Sequence, residues 1–170
     1  VIVVDDCSTD GTTDIIEEYI QKDTRIKFIK TEKNGGAYVA RNYALKIATG
    51  EYVTCNDSDD WSHPEKIEKQ VKHLIKNPSV MGNTSQQVRA TSDLMFYRRG
   101  NFNLTLANIS SFMFRRQPAM DAIGYLDSVR FAADSEFIRR IKQKFGQKSV
   151  VHLETGPLSF QRQSSSSLTG

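Results

Sequence analysis

In its first 76 positions the chain alternates between two periodicities, and that alternation restricts the fold more than any other feature of the sequence. Residues 1–4, Val-Ile-Val-Val, are β-branched throughout, as expected of a strand buried on both faces. Residues 26–30 and 51–55 are two further β-prone runs. Helical patterns lie between and after them. The first places Ile15, Ile16, Tyr19 and Ile20 on one face, with Thr13 or Asp14 positioned to cap it and Glu17 three residues beyond Asp14. The second, 37–48, carries a small, tightly packing stripe of Ala40, Ala44, Leu45 and Ala48 and ends at Gly50. The third runs to about residue 76. Ser62 and Glu65 have capping-box spacing, Pro64 stands near its start, and Ile67, Val71, Leu74 and Ile75 form its apolar face. A β-α-β-α-β-α order predicts an α/β fold with a mostly parallel central sheet flanked by helices. Ligands of such sheets sit at the carboxyl ends of the strands.

Carboxylates stand at two of those ends. Asp5-Asp6 follows the first run, and Asp57-Ser-Asp59-Asp60 follows the third. Three carboxylates within four residues repel one another unless water or a cation absorbs the charge. Hard oxygen ligands at this spacing suit Mg²⁺ or Mn²⁺, which keep positions open for phosphate oxygens. Asn34-Gly35-Gly36 permits close backbone approach. It lacks the spacing of a dinucleotide fingerprint and the Lys-Ser/Thr pair of a P-loop, so a plain turn is the stronger reading. The offsets of Asp6, Ser8, Asp10, Asp14 and Glu17 also match a calcium-binding EF-hand loop. That loop needs a helix ahead of it, and here a strand-like run precedes it, so Asp10 and Asp14 are read as turn and cap residues. His63, His73 and His152 belong to no constellation, and Trp61 beside the acidic corner serves either packing or stacking on a sugar or base.

The second half is less regular. Strands are expected at 80–90 and 94–97 around a turn at 91–93, at 111–115, at 149–153 and at 158–161. A loop is expected at 98–103, a short helix at 118–123 stopped by Gly124, and a polar tail at 164–167. A last helix over 134–145 has Phe137, Ile138, Ile141 and Phe145 on one face and ends at Gly146. Asp134 opens it after Phe131-Ala-Ala, small apolar residues that can crowd a carboxylate and raise its pKa. Two compatible roles follow, a cap at the helix N-terminus and a general base. Glu136, further into that helix, is the fallback base.

The length suits one domain, and no repeat or linker divides it. A net charge of +3, with Lys and Arg spread along the chain, argues against a nucleic-acid partner. No apolar run approaches the ~20 residues of a membrane span. Cys7 and Cys55 are too few for a disulfide framework and are read as reduced thiols. Opening inside a β-prone run with no polar lead-in, the chain reads as a fragment of a longer one.

An ordered set of motifs now stands out. It comprises Val3-Val-Asp-Asp-x-Ser-x-Asp-Gly-Thr12, Asn34-Gly-Gly with Ala40-Arg41-Asn42, Gly50-Glu-Tyr, and Asp57-x-Asp-Asp with Pro64. Phe114-Arg-Arg116, Ile123-Gly-Tyr-Leu-Asp127, Ala133-Asp-Ser-Glu136 with Arg139-Arg140, and Ser167-Leu-Thr169 complete it. Together these resemble the family 2 inverting glycosyltransferases of the GT-A fold. The resemblance implies a nucleotide-sugar donor, most simply a UDP-sugar, a divalent Mn²⁺ or Mg²⁺, a saccharide or glycan acceptor, and transfer with inversion. It implies that residues 1–80 form the nucleotide-binding half and 81–170 the acceptor-side half. Asp6 is similar to the carboxylate that accepts a hydrogen bond from the nucleotide base, with Asp5 beside it. Gly35 and Arg41 fall on the nucleotide side. Asp57 resembles the first Asp of the Asp-x-Asp motif, near ribose and metal, and Asp59 the second, a metal ligand on the diphosphate. Asp134 matches the catalytic base. The resemblance also implies a cytoplasmic enzyme of bacterial polysaccharide synthesis, at the inner membrane face if regions outside this span tether it.

Two departures are visible. The family's opening apolar strand, central in its sheet, and the Thr/Ser-Tyr-Asn loop after it do not occur here. The pair before the last helix is Ala133-Asp134 rather than Glu-Asp. The alternatives are a sugar-phosphate nucleotidyltransferase and a non-catalytic nucleotide- or sugar-binding domain.

Overall fold

A computed structural model of the protein describes residues 1–97 and 103–163, Tyr97 by its backbone only. The expected loop over 98–103, apart from Asn103, and the tail at 164–167 lie outside the described residues, as does the motif at 167–169.

The first half follows the expected order: β1 (Ile2–Asp5), α1 (Thr12–Lys22), β2 (Lys27–Lys30), α2 (Ala37–Ile47), β3 (Tyr52–Val53). A two-residue strand, β4 (Trp61–Ser62), then precedes α3 (Lys66–Lys76). Beyond it come β5 (Gly82–Ala90), β6 (Phe96–Tyr97), β7 (Leu106–Ala107), β8 (Met113–Arg115), α4 (Arg116–Ile123), α5 (Ala133–Phe145) and β9 (Val150–Arg162). The two short strands expected at the C-terminal end are one 13-residue strand. It absorbs Gly156, whose φ of 70° suits only glycine without strain, where the β5–β9 ladder shifts register.

The sheet is mixed and divided. β1 and β2 pair in parallel as a separate two-stranded sheet. The second sheet runs β3-β8-β5-β9-β4, with β6 and β7 also on β5. Its longest ladder, β5 with β9, is parallel, and the pairings of β3, β4, β6, β7 and β8 are antiparallel. The parallel order expected from the alternating first half therefore holds for β1 and β2, while β3 joins the second sheet through β8. An apolar cleft of about 1360 Å³ lies between the two sheets, bordered by β1, α2, β3 and α3.

That cleft explains two differences from the sequence reading. Ile2, Val3 and Val4 are half-buried, not buried on both faces, because one side of β1 opens onto it. In α3 the buried stripe is Lys66, Gln70 and Leu74, while Ile67 lines the cleft and stays exposed. α1 buries no residue: Ile15 and Tyr19 are exposed, and Ile16 and Ile20 are only half covered.

The core sits in the second half. Phe112 and Phe114 stack at 5.8 Å, Phe137 meets Phe114 edge-on at 5.1 Å, and Leu45 brings α2 into the same cluster. Ile138, Ile141, Ala119 and Val150 complete it. A smaller cluster of Leu74, Val80 and Met113 seats α3 on the sheet. Buried amides fix that seat, since Gln70 Nε2 donates to Asn83 Oδ1 at 3.1 Å and Asn83 Nδ2 donates to the Gln70 carbonyl at 2.9 Å. These bonds set the register of helix on strand, although the Gln70 side-chain oxygen is buried without a hydrogen-bond partner. The core thus binds α2 to α5 and brings the acidic corner and the last helix into one region.

Candidate active site

The first acidic pair divides by role. Asp5 is buried at the end of β1 and spends both oxygens on its own loop. Oδ1 accepts from the Ser8 N–H at 2.8 Å and Oδ2 from the Thr13 hydroxyl at 2.8 Å. Ser8 holds its carboxyl below the ordinary carboxylate range, with Thr13 and Lys30 acting in the same direction. Thr13 is therefore committed to Asp5 and does not cap α1, whose N-cap is Gly11. Strand β1 leads directly into this loop, so the EF-hand spacing has no helix ahead of it.

Asp6 faces the Asn34-Gly35-Gly36 turn. Its carboxylate accepts from Gly35 N–H at 2.9 and 3.1 Å, from Gly36 N–H at 2.6 Å and from the Thr31 hydroxyl at 3.0 Å. These contacts fill the roughly four lone-pair sites of a carboxylate. Gly36 holds φ at 85°, and a Cβ on Gly35 would stand 2.8 Å from Val39 Cγ1, so the turn demands both glycines. The turn sets the start of α2.

α2 carries the link to the acidic corner. Arg41 forms a close ion pair with Asp57, its own side chain 14% exposed and that of Asp57 35%. Its guanidinium lies 5.2 Å over the Tyr38 ring, one turn earlier on the helix. Burial pushes the Tyr38 hydroxyl up, and the charge and hydrogen bonding of Asp134 add to that. Asp134, from the other half of the chain, thus meets the first turn of α2. Its charge also acts on Cys55, whose thiol burial pushes up against the opposing pull of Arg41. Tyr38, Arg41 and Asp57 are thus in direct contact, and the charge of Asp134 is felt at Tyr38 and Cys55.

Asp59 and Asp60 differ from Asp57. Asp59 is exposed. Asp60 accepts the Arg162 N–H at 3.1 Å on Oδ1, and its Oδ2 is buried with no hydrogen-bond partner. Burial pushes the Asp60 carboxyl up to about 6, and the charges of Asp57 and Asp59 push the same way against that N–H. Lys66 Nζ donates to Ser62 Oγ at 3.0 Å in a buried setting, and burial holds its pKa low against the pull of Asp60 and Asp57. Among the described residues no group of three His, Cys, Asp or Glu side chains converges on one point. The corner still fits a hard divalent ion, because the donors are carboxylates and one buried oxygen lacks a partner. The smaller of these ions binds through one or two carboxylates and completes its shell with substrate phosphates.

The last helix departs from expectation in one respect. α5 begins at Ala133, its N-cap is Ala132 with a left-handed φ of 62°, and no side chain caps it. Asp134 sits inside the first turn, where Oδ1 accepts the N–H of Ser135 at 2.7 Å. It is not the cap, because the left-handed residue has already turned the chain into the helix. Glu136 is engaged elsewhere. It accepts from Arg140 Nε at 2.8 and 2.9 Å, and Arg140 also donates to the carbonyls of Ile123 and Tyr125. That leaves Asp134 as the carboxylate of α5 that faces α2. At α3 the Ser62–Glu65 capping box is absent, and His63 Nδ1 accepts the Glu65 N–H at 3.1 Å in its place.

Two members of the region were not singled out from sequence. Tyr38 stands three residues before Arg41, the spacing of neighbours on one helix face. Lys66 opens the buried i, i+4, i+8 stripe of α3.

A family model described as Glycosyl transferase family 2 matches residues 1–138. Among curated proteins, the chain is 45% identical over 89 residues to the putative teichuronic acid biosynthesis glycosyltransferase TuaG of Bacillus subtilis, covering 52% of this chain and 35% of that protein. It is 46% identical over 80 residues to the UDP-Glc:alpha-D-GlcNAc-diphosphoundecaprenol beta-1,3-glucosyltransferase WfaP of Escherichia coli, covering 47% and 31%. Among solved structures, S. aureus TarS in complex with UDP superposes with a TM-score of 0.71 at 25% identity, over 96% of this chain and 51% of that one. A mannosyltransferase from Pyrobaculum calidifontis, in complex with GDP-Man and Mn²⁺, superposes at 0.68 with 19% identity over 91% and 45%. This chain thus spans about a third of the length of the curated relatives and half that of the solved ones.

Proposed function

The chain belongs to glycosyl transferase family 2, and from that premise we propose that it transfers a sugar from a UDP-sugar to a saccharide hydroxyl with inversion, assisted by a divalent cation. The observation that supports this reading is that Asp134, from one half of the chain, acts on Tyr38, whose ring carries the Arg41 guanidinium that pairs with Asp57 in the acidic corner of the other. TarS, with UDP bound, is the structural relative that supports the nucleotide. WfaP is named as a UDP-glucose-using transferase to a lipid-linked sugar, which supports the acceptor class.

In this reading Asp134 takes the proton of the acceptor hydroxyl as that oxygen attacks the anomeric carbon. The leaving nucleoside diphosphate departs from the opposite face, so no covalent intermediate on the protein is required. Asp59 and Asp57 would hold the Mn²⁺ or Mg²⁺, which when bound would offset the charge that develops on the leaving group. Arg41 serves two ends: it orients Asp57 and presents a guanidinium on the diphosphate side. Asp6 reads the nucleotide base after releasing one of its contacts with the turn at Gly35. Asp5, one residue earlier, fixes the loop that carries Asp6.

The test is release of UDP from UDP-glucose and UDP-GlcNAc in the presence of a saccharide acceptor, with Mn²⁺ and with chelator. Metal-dependent release is expected. Retained UDP binding without turnover from any donor would make the chain a binding domain instead.

A further inference from the structure

A second, smaller cleft of about 330 Å³ lies beside the acidic corner. Its floor is aromatic. Trp61 of β4 and Phe160 of β9 are direct partners across an antiparallel ladder, with ring centroids 5.0 Å apart. Phe96 supports Phe160 edge-on at 5.7 Å. His63 meets Trp61 from the side at 6.0 Å in a T-shaped contact. Trp61 nevertheless stays 50% exposed and Phe96 51%. The rim is polar: Asp59, Thr91, Ser92 and Arg162 surround the aromatic floor, and Leu94 closes one side.

An exposed aromatic pair rimmed by polar groups offers a surface on which an amphipathic ligand can lie. The volume is at the lower end for small-ligand pockets, enough for one sugar ring and too small for a nucleotide. A pyranose fits the chemistry of both parts. Its C–H faces are apolar and lie flat on an aromatic ring, as amphipathic ligands do on Trp. Its hydroxyls, which both donate and accept, suit a rim that combines a carboxylate, hydroxyls and a guanidinium. Asp59 belongs to this rim and to the acidic corner, so a ring seated here abuts the diphosphate side.

We propose that the Trp61–Phe160 shelf is a pyranose subsite adjoining the donor corner. The source of the ring, acceptor or donor sugar, rests on the proposed function; the binding itself does not.

Trp61 is the chain's single tryptophan, so emission excited selectively at tryptophan reports on the shelf and the adjoining acidic corner, and UDP without a sugar is the control for the corner. Methyl glucopyranosides and methyl N-acetylglucosaminides, UDP, UDP-glucose and UDP-GlcNAc would each be titrated with Mn²⁺ present. A saturable change with a methyl pyranoside identifies an acceptor ring. A change with a UDP-sugar that UDP does not reproduce identifies the donor's sugar. Either supports the subsite, and Phe160→Leu or Arg162→Gln should weaken the response about tenfold. Flat emission with every pyranoside, together with identical curves for UDP and the UDP-sugars, would overturn it. Calorimetry of UDP binding reads the donor corner separately, so failure of the functional reading and failure of the shelf are told apart.

Discussion

Arg41, in the first half of α2, ion-pairs with Asp57 at the head of the acidic corner while its guanidinium rests on the ring of Tyr38. The pair is partly shielded from water, so removing one partner leaves a charge poorly solvated. Arg41→Met should cost on the order of 1–3 kcal/mol in urea unfolding, below the figure for fully buried pairs because Asp57 is partly exposed. Arg41→Lys should recover only part of this, since an ammonium lacks the planar fork. UDP affinity measured by calorimetry should fall in both variants.

Asp6 has a structural duty that can be separated from any contact with nucleotide. Its carboxylate binds the N–H groups of Gly35 and Gly36 and the Thr31 hydroxyl. Asp6→Ala should lower stability by about 0.5–1.5 kcal/mol without ligand present, the usual net contribution of hydrogen bonds that water can partly replace. Gly36→Ala should cost about 1–3 kcal/mol, because φ 85° with ψ 167° is a conformation open essentially to glycine alone. Thermal melting of the ligand-free protein checks both.

Asp59 is exposed and accounts for no part of the fold's packing. Asp59→Ala should leave the melting temperature within about a degree of wild type, as for ordinary surface changes. It should weaken Mn²⁺-dependent UDP binding at least tenfold and leave metal-free binding unchanged. Titrations with and without chelator separate the two.

Two histidines set an acid limit on stability. Burial holds His152 below its ordinary pKa of 6.5, with Lys142 adding repulsion, and burial does the same to His73. Each ring is hydrogen-bonded on its covered side, His152 Nδ1 to the Thr84 hydroxyl at 2.8 Å and His73 Nδ1 to the Asn83 amide at 3.1 Å, although neither residue is fully buried. A histidine with a depressed folded pKa binds fewer protons folded than unfolded. Its contribution is therefore present above pH 6.5 and is lost as pH falls through the folded value. Unfolding curves from pH 8 down to 5 should show wild type losing stability more steeply than His152→Gln.

Much of the first half was legible because its signals are local. The β-branched run at 1–4, the Gly35-Gly36 turn and the small-residue stripe of α2 each specify a backbone state by themselves. The second half depends on pairing over long distances. β9 joins β5 and β4 through residues far away in sequence, and no local pattern shows that 150–162 is one strand with a kink at Gly156. The same holds for the site. Asp57, Asp59 and Asp134 were candidates from residue type and the family resemblance, but Tyr38 enters only because the core packs α2 near α5. The cap assigned to Asp134 failed because Ala132 takes a left-handed conformation that nothing in Phe-Ala-Ala-Asp advertises.

The role of Asp134 as the base of a sugar transfer whose donor is held elsewhere is tested most directly by Asp134→Asn, with sugar transfer and UDP affinity measured on the same preparation. The predicted result is a loss of about 10²–10⁴ in transfer rate, the usual contribution of a general base, with UDP affinity unchanged. Transfer at the wild-type rate by Asp134→Asn would contradict it.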